Sequence, residues 1–265
     1  MKTTILFFTV LFLLFSGRMV AQNFSLEDPE NILSRNEKEA IENAITYQTA
    51  FFNRIFNQTV DFSEIQITIM PNFVSCMLYQ SQIGIHPPRR SSGFYMPSRR
   101  ELVICKDKKF RHAFLRTAFH EISHAFIHLH AGNNYVPIWL NEGLAVYLES
   151  MTFSSRRIRH TVNRHRLAQL RTFIELREVN LAEFVNWSHQ RFYNESFSQA
   201  GIGYVKAYAM VLFLLRQQDK ERTFTIFRNL IGENSTIAVF DKYYEGGFAQ
   251  FERDFMAYFS RSNIR

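Results

Sequence analysis

Residues 113–150 read AFLRTAFHEISHAFIHLHAGNNYVPIWLNEGLAVYLES, and the organisation of the whole chain follows from how this stretch is read. Apolar residues recur at helical spacing on both sides of His120-Glu-Ile-Ser-His124. A helix is therefore expected over residues 109–130. The AGNN segment at 131–134 is a stop signal, and Pro137 is suited to the first position of a second helix reaching about residue 151. His120 and His124 are one turn apart and only about 40° apart around a helix axis. Glu121 sits about 100° from His120, on the flank of the same face. Two imidazoles so placed can share one divalent ion at about 2.0–2.1 Å, and the flanking carboxylate can reach a water on that ion without being a ligand.

A zinc hydrolase needs a third protein ligand and an open fourth position. The returning helix offers Glu142, separated from His124 by 17 residues (125–141), enough for a helix end, a turn and an antiparallel return. Glu149 follows Glu142 by seven residues, about 20° short of two full turns, so both carboxylates share a face. One of them can then bind the metal while the other accepts a hydrogen bond from a ligand imidazole, fixing its tautomer. His130 lies six residues after His124, a spacing used in another ligand set. That set needs a sharp turn midway, where this chain has β-branched Ile127, which resists positive φ. His128, about 80° from His120, is expected to pack or cap.

Outward from this centre, the preceding part is richer in strands. IQITIM (65–70) alternates as a strand. FVSCMLY (73–79) fits a strand or a short helix, and GFYMPSRRELVIC (93–105) reads as two strands joined around Pro97 and Ser98. Residues 27–57 read as helical. After residue 151 the pattern is helical at 156–171, 181–187, 204–217, 222–231, near Val239 and at 248–259. Strands early and helices late indicate an α+β fold. A small mixed sheet is expected over the HEISH helix, followed by a mostly helical second half. The expected division is a leader at 1–21, an α+β part at 22–153 and a helical part at 154–265 that closes the cleft.

The pair HEISH and WLNEGLAVYLE resembles the gluzincin metallopeptidases, the peptidase MA-like clan of thermolysin and the zinc aminopeptidases. The resemblance spans roughly residues 93–260 and is strongest at His120 to Glu149. It implies a zincin-like fold, one Zn2+, and Glu142 as third ligand beside His120 and His124. In GYVKAYAMVLFLL it matches a Tyr-x-Lys pattern opening an apolar helix, which implies Tyr204 as hydrogen-bond donor to the oxyanion. Tyr208, one turn on, cannot be separated from it by spacing. The Gly-rich, Glu-containing strand that captures a free amine in the aminopeptidases is lacking. The corresponding stretch holds Glu101 outside any such motif, which favours an endopeptidase. The implied activity is peptide-bond hydrolysis by a metal-activated water, with Glu121 as general base. The strand 101–105 is expected to be the edge that pairs with an extended peptide, through Leu102, Val103 and Ile104. The rival expectation is a catalytically silent binding or adaptor module on the same fold.

The bulk properties set the context. Lys2, an apolar run over 4–15 and the small or polar SGRMVAQN read as a secretory signal, expected to be cleaved after Ala21, with Gly17 as a second option and an uncleaved N-terminal anchor as the rival reading. A secreted or periplasmic protein with no transmembrane segment in the mature chain follows. The net charge of +7 falls to +5 without Lys2 and Arg18, which calls for no nucleic-acid partner. The expected partner is a peptide or protein substrate. Cys76 and Cys105 could pair in an oxidising compartment or remain buried thiols. The basic stretch 155–171 is expected to form a solvated helix face.

Overall fold

The computed structural model describes residues 24–84, 92–107, 111–154, 157–199 and 201–260. The expected leader at 1–21 lies outside them. The chain order is β1 (Ser25–Glu27), α1 (Arg35–Phe56), β2 (Gln66–Met70), α2 (Phe73–Gln82), β3 (Gly93–Met96), β4 (Glu101–Cys105), α3 (Arg111–Ala131) and α4 (Ile138–Leu148). It continues with β5 (Met151–Ser154), β6 (Arg157–His160), α5 (Arg164–Glu175), α6 (Leu181–Phe184), α7 (His189–Ser198), α8 (Ile202–Arg216), α9 (Lys220–Asn229), α10 (Thr236–Tyr243) and α11 (Gly247–Ser260). The fold is α+β, with its main sheet in the first half and helices dominating the second.

The main sheet has the order β1-β2-β4-β3. β1, β2 and β4 run parallel, and β3 returns antiparallel to β4 with Gly93 opposite Ile104 and Met96 opposite Glu101. A 3₁₀ turn at Pro97–Arg99 joins β3 to β4, with Arg100 at φ 49° completing the reversal. β4 is hydrogen-bonded on both edges and covered on both faces. Leu102 and Ile104 belong to the main hydrophobic cluster, whereas Val103 and Cys105 pack with Cys76 under α2. The expectation that β4 is the substrate-facing edge is therefore corrected: Leu102, Val103 and Ile104 are fully buried. The uninterrupted apolar run LVIC at 102–105 carries the reason, since a strand covered on both faces has no need to alternate. The edge beside the site is β3.

Segment 73–79, left open between strand and helix, belongs to α2, whose Asn72 side chain accepts the Ser75 N–H as N-cap. A disulfide joins its Cys76 to Cys105 of β4, with Cα atoms 6.0 Å apart. The helix expected over 27–57 is shorter. Its first residues form β1 and a turn, and α1 begins only after Ser34, which makes a capping box with Glu37. That device satisfies two otherwise unpaired N-terminal donors. The helix expected over 156–171 is also corrected. β6 pairs with β5 as an antiparallel hairpin, Met151 opposite His160, and the helix begins at Arg164 after the Asn163 cap. The division expected at 153/154 falls inside this hairpin. One hydrophobic cluster reaches from Leu33 to Phe259.

Helix α4 is hydrophobic all round, with nine of its residues buried, as fits a helix enclosed by neighbours. It packs most extensively on α8, and Gly143 sets the closeness of approach. A Cβ there would lie 2.6 Å from the carbonyl oxygen of Ala207. Among the described residues no single helix is long and apolar enough to cross a membrane.

Candidate metal centre

Helices α3 and α4 bring His120, His124 and Glu142 together, with one donor atom of each inside a 4.8 Å sphere of mutual distances. Glu142 Oε2 lies 3.3 Å from His120 Nε2 and 3.8 Å from His124 Nε2. Ligands of a tetrahedral zinc ion, each about 2.0–2.2 Å from the metal, lie about 3.3–3.5 Å from one another. The first separation meets that requirement, and the second is 0.3 Å beyond it. The two imidazoles stand nearly edge to face, with ring planes at 82°.

The hydrogen bonds behind these atoms fix their roles. His120 Nδ1 is 3.2 Å from Glu149 Oε2, and His124 Nδ1 is 2.9 Å from Asn141 Oδ1. Both partners are acceptors, so each Nδ1 carries a proton, and Nε2 is the ring atom left to face a metal. Glu149, expected to serve a ligand imidazole, does so for His120. Its other oxygen is held by Arg116 at 2.8 Å and Arg166 at 3.3 Å. Asn141 was not anticipated, although it stands beside Glu142 in the NEG segment. Nor was Tyr193 of α7, whose hydroxyl donates to Glu142 Oε1 at 2.7 Å.

Glu142 is 3% exposed, and its Oε2 is a buried acceptor without a hydrogen-bond donor. Such an atom carries a desolvation cost that a cation would offset. The electrostatics point the same way. Burial opposes the charge on Glu142, but His124, His120 and the Tyr193 bond prevail and bring its pKa down to about 2. Burial likewise opposes a charged His120, but Glu142 and Glu149 raise its pKa to about 10. Glu149 follows the same pattern: burial opposes its charge, yet His120 and the two arginines bring it to about 2. The pocket thus favours positive charge between these side chains. Two inward-turned imidazoles, one carboxylate and that field fit a zinc-sized divalent cation, which would take the place of a proton between them.

Around this cluster lies a cleft of about 630 Å³ whose walls include Gly93, Tyr95, Glu121, Tyr135, Phe197 and Tyr204. Glu121 reaches it from α3, and burial raises its pKa, the direction expected of a proton acceptor tuned towards neutrality. β3 starts directly above: a Cβ on Gly93 would come within 3.1 Å of Glu121 Cγ and 2.7 Å of Thr117 Cγ2. The two candidate tyrosines separate cleanly. Tyr204 lines the cleft, and burial followed by the field of Glu142 and Glu121 raises its pKa. Tyr208 is fully buried, and its hydroxyl accepts the Asn163 N–H at 3.0 Å. His128 lines the cleft with Nδ1 2.9 Å from the Tyr95 hydroxyl, whereas His130 packs 4.9 Å from the Phe56 ring and is absent from the donor cluster.

A family model described as a protein of unknown function (DUF1570) matches residues 115–236. That span contains His120, Glu121, His124, Glu142, Glu149, Tyr193 and Tyr204. No curated protein matches the chain.

Proposed function

We propose that the protein is a zinc-dependent, gluzincin-like peptidase that acts outside the cytoplasm and cleaves within polypeptides. The observation that carries this reading is the lone Glu142 Oε2 facing two imidazole Nε2 atoms, with Glu121 beside them in an open cleft. His120, His124 and Glu142 would hold the ion. Bound there, zinc supplies Lewis acidity, polarising a carbonyl oxygen and lowering the pKa of water from 15.7 towards ~7. Glu121 accepts a proton from the attacking water and delivers it to the departing amine nitrogen. Tyr204 donates a hydrogen bond to the carbonyl oxygen as it gains negative charge. Glu149 and Asn141 keep both imidazoles in the Nδ1–H tautomer throughout.

An extended peptide fits the surroundings. β3 pairs with β4 along one edge only among the described strands, and three of its residues line the cleft. A substrate strand can add to such an edge through main-chain hydrogen bonds. Among the described residues lining the cleft, the carboxylates are Glu121 and Glu142, both already given roles. No third carboxylate there stands ready to capture a free α-amine, which supports internal cleavage over aminopeptidase action. The Cys76–Cys105 disulfide supports an oxidising compartment.

Metal analysis and a cleavage assay on a denatured protein mixture test the proposal. One zinc per chain and cleavage are expected of the wild-type protein. Glu121→Gln should keep the zinc and lose about 10²–10⁴-fold in rate. Wild-type protein that binds zinc without cleaving anything would instead fit the silent adaptor module. Glu121→Gln cleaving at the wild-type rate would remove Glu121 from the mechanism.

A further inference from the structure

We propose that Tyr193 is a positioning residue for the metal, restricting Glu142 to a single ligating oxygen. This inference rests on the zinc reading above and concerns a residue from a part of the chain distant from the HEISH and NEG segments. The Tyr193 hydroxyl donates to Glu142 Oε1 at 2.7 Å, while Oε2, buried and without a donor, faces His120 and His124. The two oxygens of one carboxylate are thereby given different tasks. A carboxylate with both oxygens free can bind an ion through both. In a site with three protein ligands, that second bond would take the position that water and substrate need. The hydroxyl also compensates Oε1 for its burial.

The helix that delivers Tyr193 is built to reach this point. Ser188 caps α7, its side chain accepting the Arg191 N–H. Phe192 is fully buried and sets its ring edge against both Tyr193 and Tyr204, at centroid distances of 5.6 and 5.1 Å. Gly203 lets α7 lie directly on α8: a Cβ there would fall 2.3 Å from Ser196 Oγ and 3.0 Å from Phe192 Cε2. His189, Tyr193 and Phe197 follow at intervals of four and all line the cleft, so one face of α7 forms a wall of the site.

The test is zinc affinity, measured by competition with a chelator on the full chain, together with the visible spectrum of the cobalt-substituted protein. Tyr193→Phe keeps the ring and its packing and removes only the hydroxyl. The expected result is a Kd weaker by about 10–100-fold, the usual effect of losing a partner behind a metal ligand. The cobalt bands should weaken as Glu142 turns to bind through both oxygens. Ser188→Ala, which removes the N-cap of α7 outside the cleft, should leave the zinc Kd unchanged and so separates hydroxyl loss from loosening of α7. Wild-type protein that binds zinc and a Tyr193→Phe variant of equal Kd would overturn the inference and leave the metal site standing. Wild-type protein that binds no zinc would overturn both.

Discussion

Helices α4 and α8 are both enclosed by the rest of the molecule and pack tightly on one another at Gly143 and Ala207, yet they use their polar side chains in opposite ways. On α4, Asn141, Glu142 and, at its end, Glu149 converge on the two imidazoles of α3. On α8 the polar groups diverge. Tyr204 faces the cleft, Lys206 donates to the Glu178 carbonyl at 3.0 Å and lies over the Trp187 ring, and Tyr208 accepts the Asn163 N–H. Burial of a polar group in a helix interior therefore has two distinct explanations, service to a site or attachment of a neighbouring loop. Residue type and helical spacing do not tell them apart.

The strongest way to break this comparison is Glu142→Ala. It removes one of three donors and exposes the imidazoles to each other without their carboxylate. Zinc binding is expected to be lost rather than merely weakened, and metal analysis after dialysis reads this directly. A variant that still holds one zinc per chain would show that the convergence on α4 is not a ligand set. The effect should exceed that of any change on α8, none of whose groups is assigned to the metal.

Next in size is Tyr204→Phe. Loss of one donor to a developing oxyanion costs about 10²–10³-fold in kcat, and zinc affinity should stay unchanged because the hydroxyl has no ligand to hold. Kinetics on a peptide substrate, with a parallel zinc titration, check both halves. An unchanged kcat would place the oxyanion donor elsewhere on the cleft wall.

These positions also show what could be read from the sequence and why. His120, Glu121, His124, Glu142 and Glu149 were legible because their relations are local: one turn, a flank, a short return and two turns. Tyr193 was not, because its partner lies 51 residues away and the contact is made only when α7 docks on α8. Seven of the ten residues in HQRFYNESFS (His, two Phe, Tyr, Asn and two Ser) are only weak helix formers, so its composition did not announce a helix. Ser188, a suitable N-cap, and the four-residue spacing of His189, Tyr193 and Phe197 were the local signals available. β6 was misread for a related reason. RIRH at 157–160 has the composition of an exposed helix, and only pairing with β5 makes it a strand. The burial of β4 was visible in its unbroken apolar run, but its neighbours in the sheet were not, and the edge was assigned to the wrong strand of the hairpin.

The smallest effect, and the finest test of the contrast within α8, is Tyr208→Phe. Its hydroxyl ties α8 to the residue that caps α5, since Asn163 gives its N–H to Tyr208 and its side chain accepts from Arg166. Removing the hydroxyl leaves a buried N–H without its acceptor, which costs about 1 kcal/mol. A lower denaturation midpoint with unchanged kcat and zinc affinity is expected. Arg166 gives the result added meaning, because it also holds Glu149 at 3.3 Å, and Glu149 in turn bonds His120. If Tyr208→Phe alters zinc affinity as well as stability, the attachment of the loop and the construction of the metal site are coupled through Asn163, Arg166 and Glu149. The two uses of buried polar groups would then be ends of one chain of contacts rather than separate solutions.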